Sequence, residues 1–203
     1  MAKSLIHQRI FIDMKKIIAV IGLLLLVGCS KQNQIQPAEP PYVKQSYSES
    51  DPAAKLSVVQ FAGVVKSIYP EYQITYSKDV GEVKFLPSDV KPDAEFVRAN
   101  NWYSIKVIRD SKTENWETLI VEVLNQNSYA ESKAVAFHDC QKIFGNIDNR
   151  ILTVIDELEN RVEQNEKTGS SAFSSANRYG YTVNLDASHY NEGYPVSCIV
   201  NSN

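Results

Sequence analysis

Catalytic signatures are the first thing this chain lacks. It carries no HExxH, GxSxG, P-loop, Rossmann fingerprint or zinc-type ligand spacing, so the chemistries those motifs perform have no footing here. Histidine and cysteine are scarce, three of each in 203 residues, and there is no CxxC to support thioredoxin-like redox work. No calcium-type ligand loop is present either, and no cofactor is expected. Lys and Arg form no cluster, which argues against nucleic acid as a partner, because neutralising phosphates needs concentrated positive charge. Nor is there an apolar run of the ~20 residues that a membrane-spanning helix requires. The longest, residues 17–27, is eleven residues without a charge.

That run has the length of a signal-peptide core. Met14-Lys15-Lys16 precedes it, and Leu26-Val27-Gly28-Cys29 closes it. The closing tetrapeptide resembles the lipobox of bacterial lipoproteins: an aliphatic residue, two small or tolerated residues, then cysteine. The resemblance covers residues 14–29 alone. It implies that residues 1–28 are removed, that the Cys29 thiol carries diacylglycerol and that the freed amine is acylated too. Two or three chains anchor firmly in a bilayer, since each buried methylene contributes roughly 0.8 kcal/mol. The alternative is an ordinary signal peptide with a chance cysteine. Residues 1–13 read as an upstream extension, with Met14 the expected start. Ser30 follows the cysteine where an aspartate would favour the inner membrane, so the resemblance leans toward the outer membrane.

Loss of residues 1–28 removes Lys3, Arg9, Lys15 and Lys16 from 21 basic side chains and Asp13 from 24 acidic ones, leaving 17 and 23, a formal −6. Such a chain has no electrostatic pull toward anionic headgroups. With Cys29 lipidated, Cys140 and Cys198 remain, and an oxidising envelope favours a disulfide between them. Closing a loop of that length stabilises by about 4 kcal/mol on the chain-entropy argument.

Residues 29–50 form the expected lipidated cysteine and flexible tether, rich in Gln, Ser and Pro. Residues 51–203 are expected to form one globular domain. Asp51-Pro52 reads as a helix start. Val58, Phe61, Ala62, Val65 and Ile68 continue at helical spacing to Pro70, although the β-branched content leaves a strand open. Tyr72, Ile74 and Tyr76 alternate before a turn at Lys78-Asp79-Val80-Gly81, and Val83 and Phe85 alternate after it. Tyr103, Ile105 and Val107 are placed to pair as a hairpin with the stretch carrying Leu119, Val121 and Val123, across the polar Asp110-to-Asn115 loop. Pro92-Asp93 opens a possible short helix between these hairpins. Ser128-Tyr129-Ala130-Glu131 predicts a capping box and a helix stopping near Gly145. A second helix carries Ile147, Ile151, Ile155, Leu158 and Val162 on one stripe and stops at Gly169. Residues 170–175 read as a Ser-rich loop before a last hairpin, with Tyr181, Val183 and Leu185 on one strand and residues 196–200 on the other. Cys140 shares a helix face with Ala136, Phe137, Ile143 and Phe144, and Cys198 a strand face with Val196 and Val200. The fold class predicted is therefore α+β: an antiparallel sheet of about six strands from three hairpins, covered by two or three helices, with a helix-to-strand disulfide.

Two fragments touch on chemistry. Ser88-Asp89-Val90-Lys91 fits SxxK and Lys167-Thr168-Gly169 fits KTG, elements of penicillin-binding enzymes. The serine sits in a loop, the KTG follows a helix end, and the third element, SDN, is missing. His138 lies two residues from Cys140 and so points off the buried face. Asp156, Glu157, Glu159 and Glu163 read as a solvated face, with Glu157 and Arg161 an i,i+4 pair. The loop 187–195 is more promising, because His189, Tyr190 and Tyr194 cluster there with Gly193. Tyrosines at a rigid tip are effective binding groups, unless they fold back on the sheet edge.

The reading that follows is an envelope-anchored, non-enzymatic lipoprotein. Its expected partners are the bilayer, through acylated Cys29, and another envelope protein. One alternative is an inhibitor or exclusion factor acting through the 187–195 loop, and another is a small cell-wall hydrolase.

Overall fold

The computed structural model describes residues 40–77, 81–87, 101–125 and 127–203. Cys29, Ser30, the turn residues Lys78 to Val80, the SxxK fragment and Pro92-Asp93 lie outside them.

Seven strands form one antiparallel sheet in the order β1-β2-β3-β4-β7-β6-β5: β1 Gln73–Ser77, β2 Glu82–Leu86, β3 Asn101–Arg109, β4 Trp116–Asn125, β5 Phe173–Arg178, β6 Tyr181–Asp186 and β7 Val196–Ser202. Among the described residues three α-helices, α1 Val58–Ile68, α2 Tyr129–Phe144 and α3 Arg150–Lys167, lie against one face. The α+β class is as predicted. The central hairpin also pairs the two expected stretches, with Tyr103 opposite Val123, Ile105 opposite Val121 and Val107 opposite Leu119. Period-2 alternation imposes this register, because a slip of one residue would turn every apolar side chain away from the helices.

Among the described residues the sheet has seven strands, not six. The extra one is β5, which takes in the second half, residues 173–175, of the stretch expected to be a Ser-rich loop. Its polar Phe173-Ser174-Ser175-Ala176-Asn177-Arg178 has no alternation to betray a strand. It pairs with β6 through a two-residue turn, Tyr179 (φ 54°) and Gly180 (φ 77°). Two positive φ angles mark the type I′ hairpin turn, whose twist matches that of the strands.

The first helix also starts later than expected. Asp51 does not cap it; its Oδ2 accepts the Ser48 N–H at 2.6 Å, closing a turn in the opposite direction. Ser57 and Gln60 form the capping box at Val58 instead, Gln60 N–H to Ser57 Oγ at 3.1 Å and Ser57 N–H to Gln60 Oε1 at 3.2 Å. At α2, Ser128 caps Glu131 as predicted, but the Glu131 carboxylate turns to Asn125 Nδ2 at 2.7 Å, so only half of that box forms.

The core is continuous between sheet and helices. Phe61, Trp116, Phe144 and Tyr181 form its aromatic centre, the Phe61 and Trp116 rings 4.8 Å apart. The Cys140–Cys198 disulfide joins α2 to β7, with both residues fully buried. Ile151, Val154, Ile155, Leu158 and Val162 put the α3 stripe into the same core.

Candidate functional site

Three places concentrate polar side chains. The first is where the N-terminal chain joins the domain. Tyr42 donates to the Ile147 carbonyl at 3.0 Å, and Lys44 donates to that of Gly145, so the open end of α2 receives a hydroxyl and a cation from about a hundred residues upstream. Arg150 then uses all five of its N–H groups. Two bind Asp148, Nε to Oδ1 at 2.9 Å and Nη2 to Oδ2 at 2.6 Å, and three bind the backbone carbonyls of Ser48, Asp51 (2.7 Å) and Pro52 (3.0 Å). The Tyr47 and Tyr179 rings lie 5.0 Å from the guanidinium. Asp148 is fully buried and also accepts from Tyr181 at 3.1 Å, while Tyr181 accepts the Ala54 N–H. Gly180 is needed here, because a Cβ would come within 3.0 Å of the Ala53 nitrogen. Residues 42–50, read from the sequence as part of the tether, therefore pack on the domain as a strap.

The second place is the Asp139 cluster. Tyr103 donates to Asp139 Oδ2 at 2.5 Å, and Nδ1 of exposed His138 is 3.3 Å from Oδ1. Burial, then the adjacent Asp139 charge, pushes the Tyr103 phenol far above its usual range. A buried carboxylate beside an exposed imidazole is half of a general-base arrangement. The other half is missing among the described residues: the neighbouring Cys140 is oxidised, and no hydroxyl is hydrogen-bonded to His138. The KTG triplet ends α3, with Thr168 the capping residue, and is not on a strand.

The third is the 187–195 loop. A short 3-10 turn, Tyr190–Glu192, is closed by Gly193 at φ 88°. The two tyrosines part company. Tyr190 folds back, its hydroxyl donating to the Asn125 carbonyl and its ring 5.0 Å from Tyr129. Tyr194 stands 57% exposed, its ring 6.1 Å from that of His189, whose Nδ1 is 3.1 Å from Glu192 Oε1. His189 lines a cleft on each side. One, of about 470 Å³, is walled by Glu122, Asp186, Glu192 and Tyr194. In it, Glu122 accepts from Lys106 at 2.7 Å and Ser104 at 3.1 Å, and Asp186 accepts from the Ser188 N–H and hydroxyl. The other, of about 490 Å³, is lined by Tyr129, Glu166, Ser188 and Tyr190. Tyr129 donates to Glu166, and Lys133 binds the same carboxylate at 2.8 Å. Burial opposes ionisation of Glu166, but the Lys133 and Tyr129 hydrogen bonds outweigh it and hold its pKa below the ordinary value.

Asp156, Glu157, Glu159 and Glu163 lie on α3, and Glu157 is paired with both Arg161 (3.9 Å) and Arg178 (2.9 Å). Among the described residues no three His, Cys, Asp or Glu side chains converge as metal ligands would, and no helix is long and apolar enough to cross a membrane. No family model, curated protein or solved structure matches this chain.

Proposed function

We propose that this chain is an envelope lipoprotein, anchored through acylated Cys29, whose domain binds another protein with the 187–195 loop. The observation that carries the binding surface is the division of labour between its tyrosines. Tyr190 pins the loop to the Asn125 carbonyl, which leaves Tyr194 as a pre-positioned, exposed aromatic beside His189. Holding a contact residue in place before binding lowers the ordering cost of association, and tyrosine offers a large contact with a polar tip. The anchor rests on the Leu26-Val27-Gly28-Cys29 resemblance. Removal of residues 1–28 and docking of residues 42–50 on the domain leave a short connection, residues 30–41, of at most roughly 40 Å when fully extended. The partner would therefore belong to the same membrane or its near surface.

The test is capture of cross-linked partners from envelopes carrying wild type or Tyr194→Ala. A specific partner recovered by wild type and depleted by the variant is the expected result. Equal recovery by both would remove the loop from the interface. Intact mass of the membrane-extracted protein checks the anchor separately: it should begin at acylated Cys29.

A further inference from the structure

We propose that the end of the domain built from the strap and the C-terminal ends of α1 and α2 rests on the anionic surface of the bilayer and turns the 187–195 loop away from it. This orientation rests on the anchoring of acylated Cys29 proposed above. The connection from that cysteine reaches the domain at Pro40 and Pro41, on the strap side. Its length of at most roughly 40 Å keeps the domain near the lipid. Length alone does not choose which end faces the surface.

Charge separates the two ends. The chain after residue 28 carries a formal −6, which an anionic surface repels. The repulsion is not uniform, because residues 40–48, 52–70 and 140–147 contain no Asp or Glu. The fold brings these three segments together. Tyr42 and Lys44 reach the Ile147 and Gly145 carbonyls, Pro40 and Pro41 line a groove with Val59 and Gly63 of α1, and Lys142 stands 4.6 Å from the centre of the Tyr69 ring. Lys44, Lys66 and Lys142 gather there, and none of them meets a carboxylate among the described residues. Lys44 and Lys66 bond to the carbonyls of Gly145 and Tyr72. Glu49 and Glu71 flank the patch, and Asp148 is buried against Arg150. The other end is acidic. Tyr129, the first residue of α2, meets Tyr190, so the sixteen residues of α2 set the loop about 24 Å from the strap. Glu122, Asp186, Glu192 and Glu166 line the two clefts there, against Lys106 and Lys133.

The strap end also carries apolar surface that no described neighbour covers. Val43, beside Lys44, is 76% exposed. The groove between strap and α1 holds about 350 Å³ and is lined by Pro40, Pro41, Val59 and Val64. Gly63 lies on it in the middle of α1, and nothing stands within 4 Å of where its Cβ would be. Glycine inside a helix sacrifices helix propensity, and here no packing inside the domain requires the room. A shallow apolar groove ringed by ammonium groups suits the headgroup boundary, with the apolar groups at its inner edge and the lysines among lipid phosphates.

A single fluorophore on the full-length acylated chain tests the orientation. The vesicles contain equal parts phosphatidylcholine and phosphatidylglycerol, with a nitroxide quencher on the headgroups. Ser67→Cys labels the groove and Asn191→Cys labels the loop, both at exposed positions. Cys140 is bonded to Cys198 and Cys29 is acylated, so only the introduced thiol reacts. Quenching at residue 67 should exceed that at residue 191 several-fold, because the ends lie about 24 Å apart. The excess should shrink when Lys44→Gln, Lys66→Gln and Lys142→Gln are combined, and in high salt, which leaves the chain unaltered. Equal quenching at both positions, or more at residue 191, overturns the proposal while an intact mass showing acylated Cys29 leaves the anchor standing. An unacylated mass removes the anchor and the orientation with it. A second copy seated on the patch would shield the residue 67 label from aqueous iodide without lipid quenching, and that too overturns the proposal.

Discussion

The strap around Arg150 and the loop around His189 are both irregular polar chain on the same domain, and they are built to opposite ends. In the strap every donor of the buried cation has an acceptor, two aromatic rings lie against it, and a glycine clears space for the backbone. In the loop one tyrosine is tied down and the other stands in solvent at the wall of a cleft. A polar group buried without a partner costs 1–3 kcal/mol, so a segment that must stay shut saturates its hydrogen bonds. A segment that must receive something keeps polar and aromatic groups uncommitted at the surface. On the proposed reading, the first segment holds and the second binds.

The largest effect should come from breaking the strap. Arg150→Ala leaves the Asp148 carboxylate buried without its cation and frees the Ser48, Asp51 and Pro52 carbonyls, which should cost about 3–5 kcal/mol in a urea titration. Residues 42–50 should then become sensitive to brief proteolysis while the sheet stays protected. Replacing Arg150 and Asp148 together by Met and Leu should cost markedly less, because no charge is left stranded. Equal losses in both variants would mean that the ion pair is not what closes the strap.

This contrast also shows what could be read from the sequence. The β3–β4 pairing, the α3 stripe and the Cys140–Cys198 bond were legible because periodicity and residue type determine them locally or by elimination. β5 was not, since Ser174 to Asn177 carry no apolar alternation and gain strand geometry from the Tyr179-Gly180 turn and from β6. The strap was not, because Arg150 looks like any first-turn residue until carbonyls about a hundred positions upstream reach it. Loop 187–195 stood out by composition, but nothing in that composition distinguishes the tyrosine that folds back from the one that does not. The choice lies with the Asn125 carbonyl and the Tyr129 ring.

Smaller effects are expected at the loop. Tyr190→Phe removes the hydrogen bond to Asn125 and should cost about 1 kcal/mol of stability. Tyr194→Ala, at an exposed position, should fall within about 0.5 kcal/mol of wild type in the same titration. If partner capture falls for Tyr194→Ala and folding does not, binding and holding reside in different tyrosines of one loop. A Tyr194→Ala protein as destabilised as Tyr190→Phe would erase that distinction.

The smallest effect is one of pH, and it concerns what the loop rests on. Tyr190 leans on Tyr129, and Tyr129 is held by Glu166 together with Lys133. With its folded pKa lowered from 4.5, Glu166 binds fewer protons folded than unfolded as pH passes through that region. Its contribution is therefore complete above about pH 4.5 and is lost as pH falls through the folded value. The pair is partly exposed, so the contribution should be no more than about 1 kcal/mol. Other carboxylates titrate in the same window, Asp51 at the end of the strap among them, its pKa lowered by the Ser48 N–H and hydroxyl. Comparing wild type with Glu166→Gln cancels them. The stability gap between the two should be constant from neutrality down to about pH 4.5 and close below it. A gap that persists in strong acid would mean that Glu166 acts through packing, leaving Tyr129 and the base of the loop in place when the carboxylate is discharged.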